Sequence, residues 1–101
     1  MANVVIEASS VIYIHGDITA PWDPTVDVVD GCLLALDAGD PIETDWKAAS
    51  WTPGMTATAR LLYGATPGVT GQLAPGSYWL RFRLHDNPEE PVLKSGVVVI
   101  T

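Results

Sequence analysis

Leu73-Ala74-Pro75-Gly76-Ser77-Tyr78-Trp79-Leu80-Arg81-Phe82-Arg83-Leu84-His85-Asp86 decides how this chain is read. Pro75-Gly76 signals a turn, because proline presets φ at the first central position and glycine accepts the positive φ that follows. From Tyr78 onward the residues alternate with period two. A strand then places Tyr78, Leu80, Phe82 and Leu84 on one face and Trp79, Arg81, Arg83 and His85 on the other. The first face is apolar and belongs in a core.

Working outward, the same β-type texture recurs on both sides. Downstream, Asp86-Asn87-Pro88-Glu89-Glu90-Pro91 is an acidic turn, and Val92 to Thr101 carries Val97-Val98-Val99-Ile100, so the last two strands form an antiparallel hairpin. Upstream, Gly64 to Gly71 reads as a loop, and Thr56 to Tyr63 as a strand with Ala57, Ala59, Leu61 and Tyr63 on one face. Asp45 to Trp51 reads as a short strand or an irregular edge segment between the turn cluster Ala38-Gly39-Asp40-Pro41 and the break Thr52-Pro53-Gly54. Gly31 to Asp37 is a continuous apolar block. It reads as a strand buried on both faces, fed by Val26 to Asp30, with a buried helical turn as the alternative. Pro21 and Pro24 make a loop around Trp22, since each removes a backbone donor. Near the start, Val4-Val5-Ile6 and Val11-Ile12-Tyr13-Ile14-His15 are both strands, either a hairpin across Ser9-Ser10 or one long bent strand, and Gly16-Asp17 ends or kinks the second. About seven short strands without any 3.6-residue period predict an all-β fold, an antiparallel immunoglobulin-like β-sandwich with no disulfide, occupying residues 1–101 as one domain. Leu73-x-Pro75-Gly76-x-Tyr78 resembles the tyrosine corner of such sandwiches, in which the tyrosine hydroxyl bonds to backbone just upstream.

The chain has 101 residues, is 48% hydrophobic and has a single cysteine, Cys32, so the fold stands on packing without an internal disulfide. Cys32 sits in an apolar run and reads as an inert core thiol, with nothing basic beside it in sequence to lower its pKa. Twelve acidic against five basic residues give a net charge of −7, which disfavours nucleic acid as a partner, because such binding rests on neutralising phosphates. No apolar run approaches the ~20 residues needed to cross a bilayer, and no secretory signal is read, so no membrane partner is expected.

Catalytic, metal and cofactor readings all give way to plainer ones. There is no Gly-x-Ser-x-Gly elbow and no phosphate-cradling glycine loop. His15 with Asp17 and His85 with Asp86 build a metal site only if the two strand ends meet in space; His-x-Asp at a strand end is ordinarily a solvated turn. Asp40, Glu43, Glu89 and Glu90 read as solvated surface. The expectation is therefore no catalytic residue, no metal and no cofactor. The aromatic residues carry more. Four tryptophans exceed what a core of this size needs. Trp79, Arg81 and Arg83 share one face of the central strand, and these residue types are enriched at interface hot spots. The alternative is that the guanidinium groups stack on Trp79 within the monomer. Trp22, Trp46 and Trp51 are further interface candidates, at least one of them belonging to the core.

Four stretches taken together, Asp45-Trp46-x-x-Ala49-x-Trp51, Leu73-x-Pro75-Gly76-x-Tyr78, Asp86-Asn87-Pro88-Glu89-x-Pro91-Val92 and Gly96-Val97-Val98-Val99-Ile100-Thr101, resemble small proteins encoded by tailed bacteriophages of actinobacteria. The resemblance implies a non-enzymatic structural module of a virion, assembled in the host cytoplasm: a capsid-associated decoration protein or a head-to-tail neck protein. Its implied partners are the major capsid or neck proteins and further copies of itself. The other function carried forward is a carbohydrate-binding sandwich whose exposed tryptophans stack on sugar rings.

Overall fold

The stretch after Pro75 folds as its alternation requires, and it forms the middle of the larger of two sheets. The computed structural model describes residues 4–19, 23–54, 57–64, 73–85 and 90–101. The strands are β1 (Val4–Ile6), β2 (Ile12–Asp17), β3 (Val28–Ala35), β4 (Lys47–Ala48), β5 (Ser50–Trp51), β6 (Thr58–Tyr63), β7 (Gly76–His85) and β8 (Val92–Ile100). A five-stranded sheet has the order β1-β8-β7-β3-β4, and a three-stranded sheet the order β2-β6-β5. The fold is all-β: among the described residues helical structure is limited to two 3₁₀ turns, Pro24–Val26 and Glu43–Asp45. Cys32 is a free, buried thiol.

The core lies between the sheets. Leu80, Phe82 and Leu84 of β7 are each no more than 2% exposed, and they meet Val29 and Leu33 of β3, Ala59, Leu61 and Tyr63 of β6, Ile14 of β2 and Val98 and Ile100 of β8. These residues are the inward half of period-two patterns, so burial follows directly from alternation. Two tyrosine hydroxyls tie loops to the sheets. The Tyr63 hydroxyl donates to Ala8 O at 3.0 Å and accepts from Leu73 N–H at 3.0 Å. The Tyr78 hydroxyl donates to Ala74 O at 2.6 Å, the upstream bond anticipated for that corner.

Several local expectations are corrected. Residues 4–6 and 12–17 form neither a hairpin nor a single bent strand. β1 pairs in parallel with β8, Val4 opposite Val98, whereas β2 pairs antiparallel with β6, Ile14 opposite Leu61. A turn centred on Ala8-Ser9, closed by Ser10 N–H donating to Glu7 O at 3.0 Å, therefore carries the chain from one sheet to the other. Gly16-Asp17 continues β2, pairing with Ala59 and Thr58 of β6, and Ser95 and Phe82 occupy the space a side chain at Gly16 would fill. The apolar block after Gly31 leaves the sheet at Ala35, so Leu36 and Asp37 belong to a turn. Residues 45–51 split in two: Ala49 N–H still donates to Val29 O at 3.1 Å, while Ser50 opposite Arg60 has joined the other sheet. Val26 ends a 3₁₀ turn, with the Asp23 carboxylate accepting from Thr25 N–H at 3.1 Å. The loop expected at 64–71 lies, beyond Gly64, outside the described residues, as does the turn over 86–89.

One irregularity positions the site described next. Leu80 pairs with Gly96 but Arg81 pairs with Lys94, so Ser95 is an extra residue, a β-bulge in β8. Strict alternation would place Val98, Gly96 and Lys94 on one face. The bulge resets the parity, sending Leu93 inward opposite Phe82 and Lys94 outward opposite Arg81.

Candidate functional site: the outer face of the five-stranded sheet

The outward row of β7, Trp79, Arg81, Arg83 and His85, is flanked on β3 by Leu34, Cys32, Asp30 and Val28 and on β8 by Val97, Lys94 and Val92. This face is not bare. The connection from β3 to β4 carries Glu43 and Trp46 back over the sheet, held by a turn in which the Asp45 carboxylate accepts from Ile42 N–H at 2.8 Å.

Arg83 is consequently buried, with 8% of its surface exposed. Its Nη1 and Nη2 donate to the two carboxylate oxygens of Glu43 at 3.1 and 2.8 Å, and Nη2 also donates to Asp30 Oδ2 at 2.9 Å. The Trp46 ring covers the guanidinium, its centroid 4.8 Å from Cζ. The fork of the guanidinium matches a carboxylate bidentately, so this arrangement is charge-assisted and geometrically specific. The hydrogen bond to Glu43, opposed by burial and assisted by Asp30, raises the Arg83 pKa further. Glu43 is held below the usual carboxylate range, chiefly by its bond from Arg83. Arg81, with 5% of its surface exposed, also has a buried nitrogen without a hydrogen-bond partner, Nη1, as Arg83 has Nε, but unlike Arg83 it pairs with no carboxylate among the described residues. It opens on a pocket of about 490 Å³ lined also by Asp40, Pro41, Trp46, Val92 and Lys94. The Lys94 ammonium sits 4.6 Å from the Trp79 ring centroid.

His85 closes the row. Nε2 faces Asp30 Oδ2 at 2.5 Å and Nδ1 faces Glu90 Oε2 at 2.8 Å. With a carboxylate at each nitrogen, both nitrogens must donate, so the imidazolium is favoured and the pKa is raised, the Asp30 bond being the largest cause and Arg83 opposing it. Burial pushes Asp30 up, but the bonds from His85 and Arg83 outweigh it and hold the carboxyl below its ordinary value. A raised histidine pKa stabilises the fold fully below the unfolded value of about 6.5 and ceases to do so as pH rises through the folded value. The lowered carboxylates stabilise above their unfolded values near 4 and lose that effect as pH falls through the folded ones. Stability should therefore fall as pH is raised from 6 to 8, and urea midpoints of His85→Gln should be flatter over that window. An unchanged slope in the variant would remove His85 from the account.

The structure thus gathers Trp46, Trp79, Arg81 and Arg83 on one face but corrects their expected surroundings. The two arginines are covered by residues 40–46, and no guanidinium stacks on Trp79; Arg83 takes Trp46 and Lys94 takes Trp79. Among the described tryptophans Trp51 is the one packed against the core, half-buried in the other sheet with Nε1 donating to Asp27 O at 2.9 Å. Trp22 lies outside the described residues. Glu43 and Glu90 lie on the surface as expected, with 80% and 53% of their side chains exposed, and each in addition pairs with a residue of β7, Arg83 and His85 respectively. His15 is on β2, in the sheet opposite His85, so the two histidines do not share a site; Asp86 lies outside the described residues. Cys32 is buried, and desolvation pushes its thiol up to about 11 despite Arg81 across the strand pair, so it is protonated at neutral pH. Asp30, Glu43 and Lys94 were missed in the sequence. A usable signal was present in the acidic and aromatic run Glu43-Thr44-Asp45-Trp46, a ready complement to arginines on an apolar strand. No protein-family model, curated protein or solved structure matches this chain.

Proposed function

We propose that the chain is an immunoglobulin-like β-sandwich that acts as a non-enzymatic structural and interaction module of a tailed-phage virion, on the capsid or at the head-to-tail neck. The strand order supports the fold part of this reading: a parallel β1 at the edge beside β8, then β7, β3 and β4, faced by β2-β6-β5, with the tyrosine corner at Tyr78. The observation that carries the interaction part is the edge of the smaller sheet. β2 ends that sheet with six residues, and Val11 just before it and Ile12 and Tyr13 at its start are all exposed, Val11 at 66%. Edge strands are ordinarily blunted by charge, proline or brevity, and an open apolar edge is a template for strand addition from a neighbour.

Virions banded from a lysate of the encoding phage should carry the chain in many copies, and Ile12→Lys should lower its incorporation while the isolated variant stays folded. Recovery only from the soluble fraction overturns the reading. The carbohydrate alternative predicts a tryptophan-fluorescence change on adding polysaccharide. It is weakened because the rings of Trp46 and Trp79 already cover Arg83 and Lys94.

A further inference from the structure

We propose that the pocket between β7, β8 and residues 40–46 binds a carboxylate, with Arg81 as its principal partner and Lys94 as the second cation. Arg81 and Arg83 lie two residues apart on the same strand and face, yet the fold treats them oppositely. Arg83 makes three charge-assisted hydrogen bonds to Glu43 and Asp30, whereas Arg81 is buried to a similar degree with Nη1 unpartnered. A guanidinium is cationic, and a cation held out of water without a bonded counter-ion is costly. Among the described residues two carboxylates bond Arg83 and none bonds Arg81, Asp40 lining the same pocket without an ion pair to it, which leaves a place for a carboxylate from outside.

The pocket fits that role. Its volume, about 490 Å³, falls in the range of small-ligand sites. Arg81 and Lys94 set against Asp40 give the lining one net positive charge, in a chain whose overall charge is −7. One net positive charge balances a single carboxylate, and the Asp40 carboxylate disfavours a dianion such as phosphate. The planar fork of Arg81 is also shaped for two coplanar oxygens. Trp46, Pro41 and Val92 form the apolar part of the wall, so the carboxylate should carry an apolar or ring-bearing body. The bulge at Ser95 is what brings Lys94 to this face, so the site depends on a specific irregularity of β8. The carboxylate has two sources of the same chemistry: a free organic acid, or an acidic side chain presented by a neighbouring protein.

The isolated chain suffices for the test, so its outcome stands apart from the virion sedimentation result. Phenylacetate, its neutral counterpart 2-phenylethanol, and inorganic phosphate are titrated while the indole N–H shift of Trp46 and the amide shifts of β7 and β8 are followed by NMR. A second arm uses a short peptide capped at both ends with one internal glutamate, against its glutamine analogue. Saturable binding of phenylacetate or of the glutamate peptide below roughly 10 mM, without binding of the neutral analogues, is the expected result. The tighter of the two identifies the source. Lys94→Met, on an exposed side chain, should weaken binding roughly tenfold, and Arg81→Met should abolish it. The proposal is overturned if neither carboxylate binds, if phosphate binds as well as phenylacetate, or if folded Arg81→Met or Lys94→Met binds like the parent.

Discussion

Phe82→Ala should destabilise the fold by about 3–5 kcal/mol, the range for truncating a buried phenylalanine. For a domain of this size that corresponds to a fall of some 12–40 °C in Tm. The reason lies in the space around the ring. Phe82 is fully buried at the centre of β7 and fills room left by two glycines on neighbouring strands. A Cβ built at Gly31 of β3 would lie 3.2 Å from Phe82 Cε1, and one at Gly16 of β2, across the core, 2.7 Å from Cε2. Glycines cannot extend side chains into a vacated volume, so the cavity would persist and the cost should sit at the upper end of that range. Circular dichroism during thermal and urea unfolding measures it. A loss below about 1 kcal/mol would mean that the two sheets collapse onto the space and that Phe82 is not central.

Gly16→Val should be comparably severe. Its Cβ would run into Ser95 Oγ and lie 2.8 Å from Ser95 Cβ, besides the approach to Phe82. The side chain of the extra residue in the β8 bulge thus points at the very strand position that lacks one. Overpacking in cores ordinarily costs about 1–3 kcal/mol, and valine at a position already too tight for a methyl should reach or exceed the top of that range. Ser95→Gly in the same chain should recover part of the loss, with a coupling of at least about 0.5 kcal/mol, since the two residues share one volume. Urea midpoints of the two single variants and the double variant decide it. Strict additivity would show that the clash is relieved elsewhere, by separation of the sheets.

Both predictions concern glycines whose role is invisible locally. Gly16 stands next to Asp17 and looks like the end of a strand, yet it pairs with Ala59 within β2, and Phe82, 66 positions later, occupies its side-chain space. The bulge is hidden for a related reason. Val92 to Ile100 is apolar at both parities near its end, so nothing in the run marks where Lys94 turns outward. The candidate site follows the same division. The alternation of β7 puts Trp79, Arg81, Arg83 and His85 on one face, but whether that face is wet depends on a segment some 40 residues earlier that carries Glu43 and Trp46.

What the amino-acid order alone determined was the set of strands from β6 to β8, the inward residues Leu80, Phe82, Leu84, Leu61 and Tyr63, the corner at Tyr78 and the absence of any helical period. All of these follow from interactions between residues a few positions apart, chiefly alternation and turn chemistry. Tertiary structure decided which sheet each strand joins, the crossings at Ala8-Ser9 and at Ala49, the burial of Arg83 between Glu43, Asp30 and Trp46, and the unpartnered Nη1 of Arg81. Those depend on pairings across tens of residues, where short-range pattern is silent and the outcome is set by which volumes and charges fit together once the two sheets close.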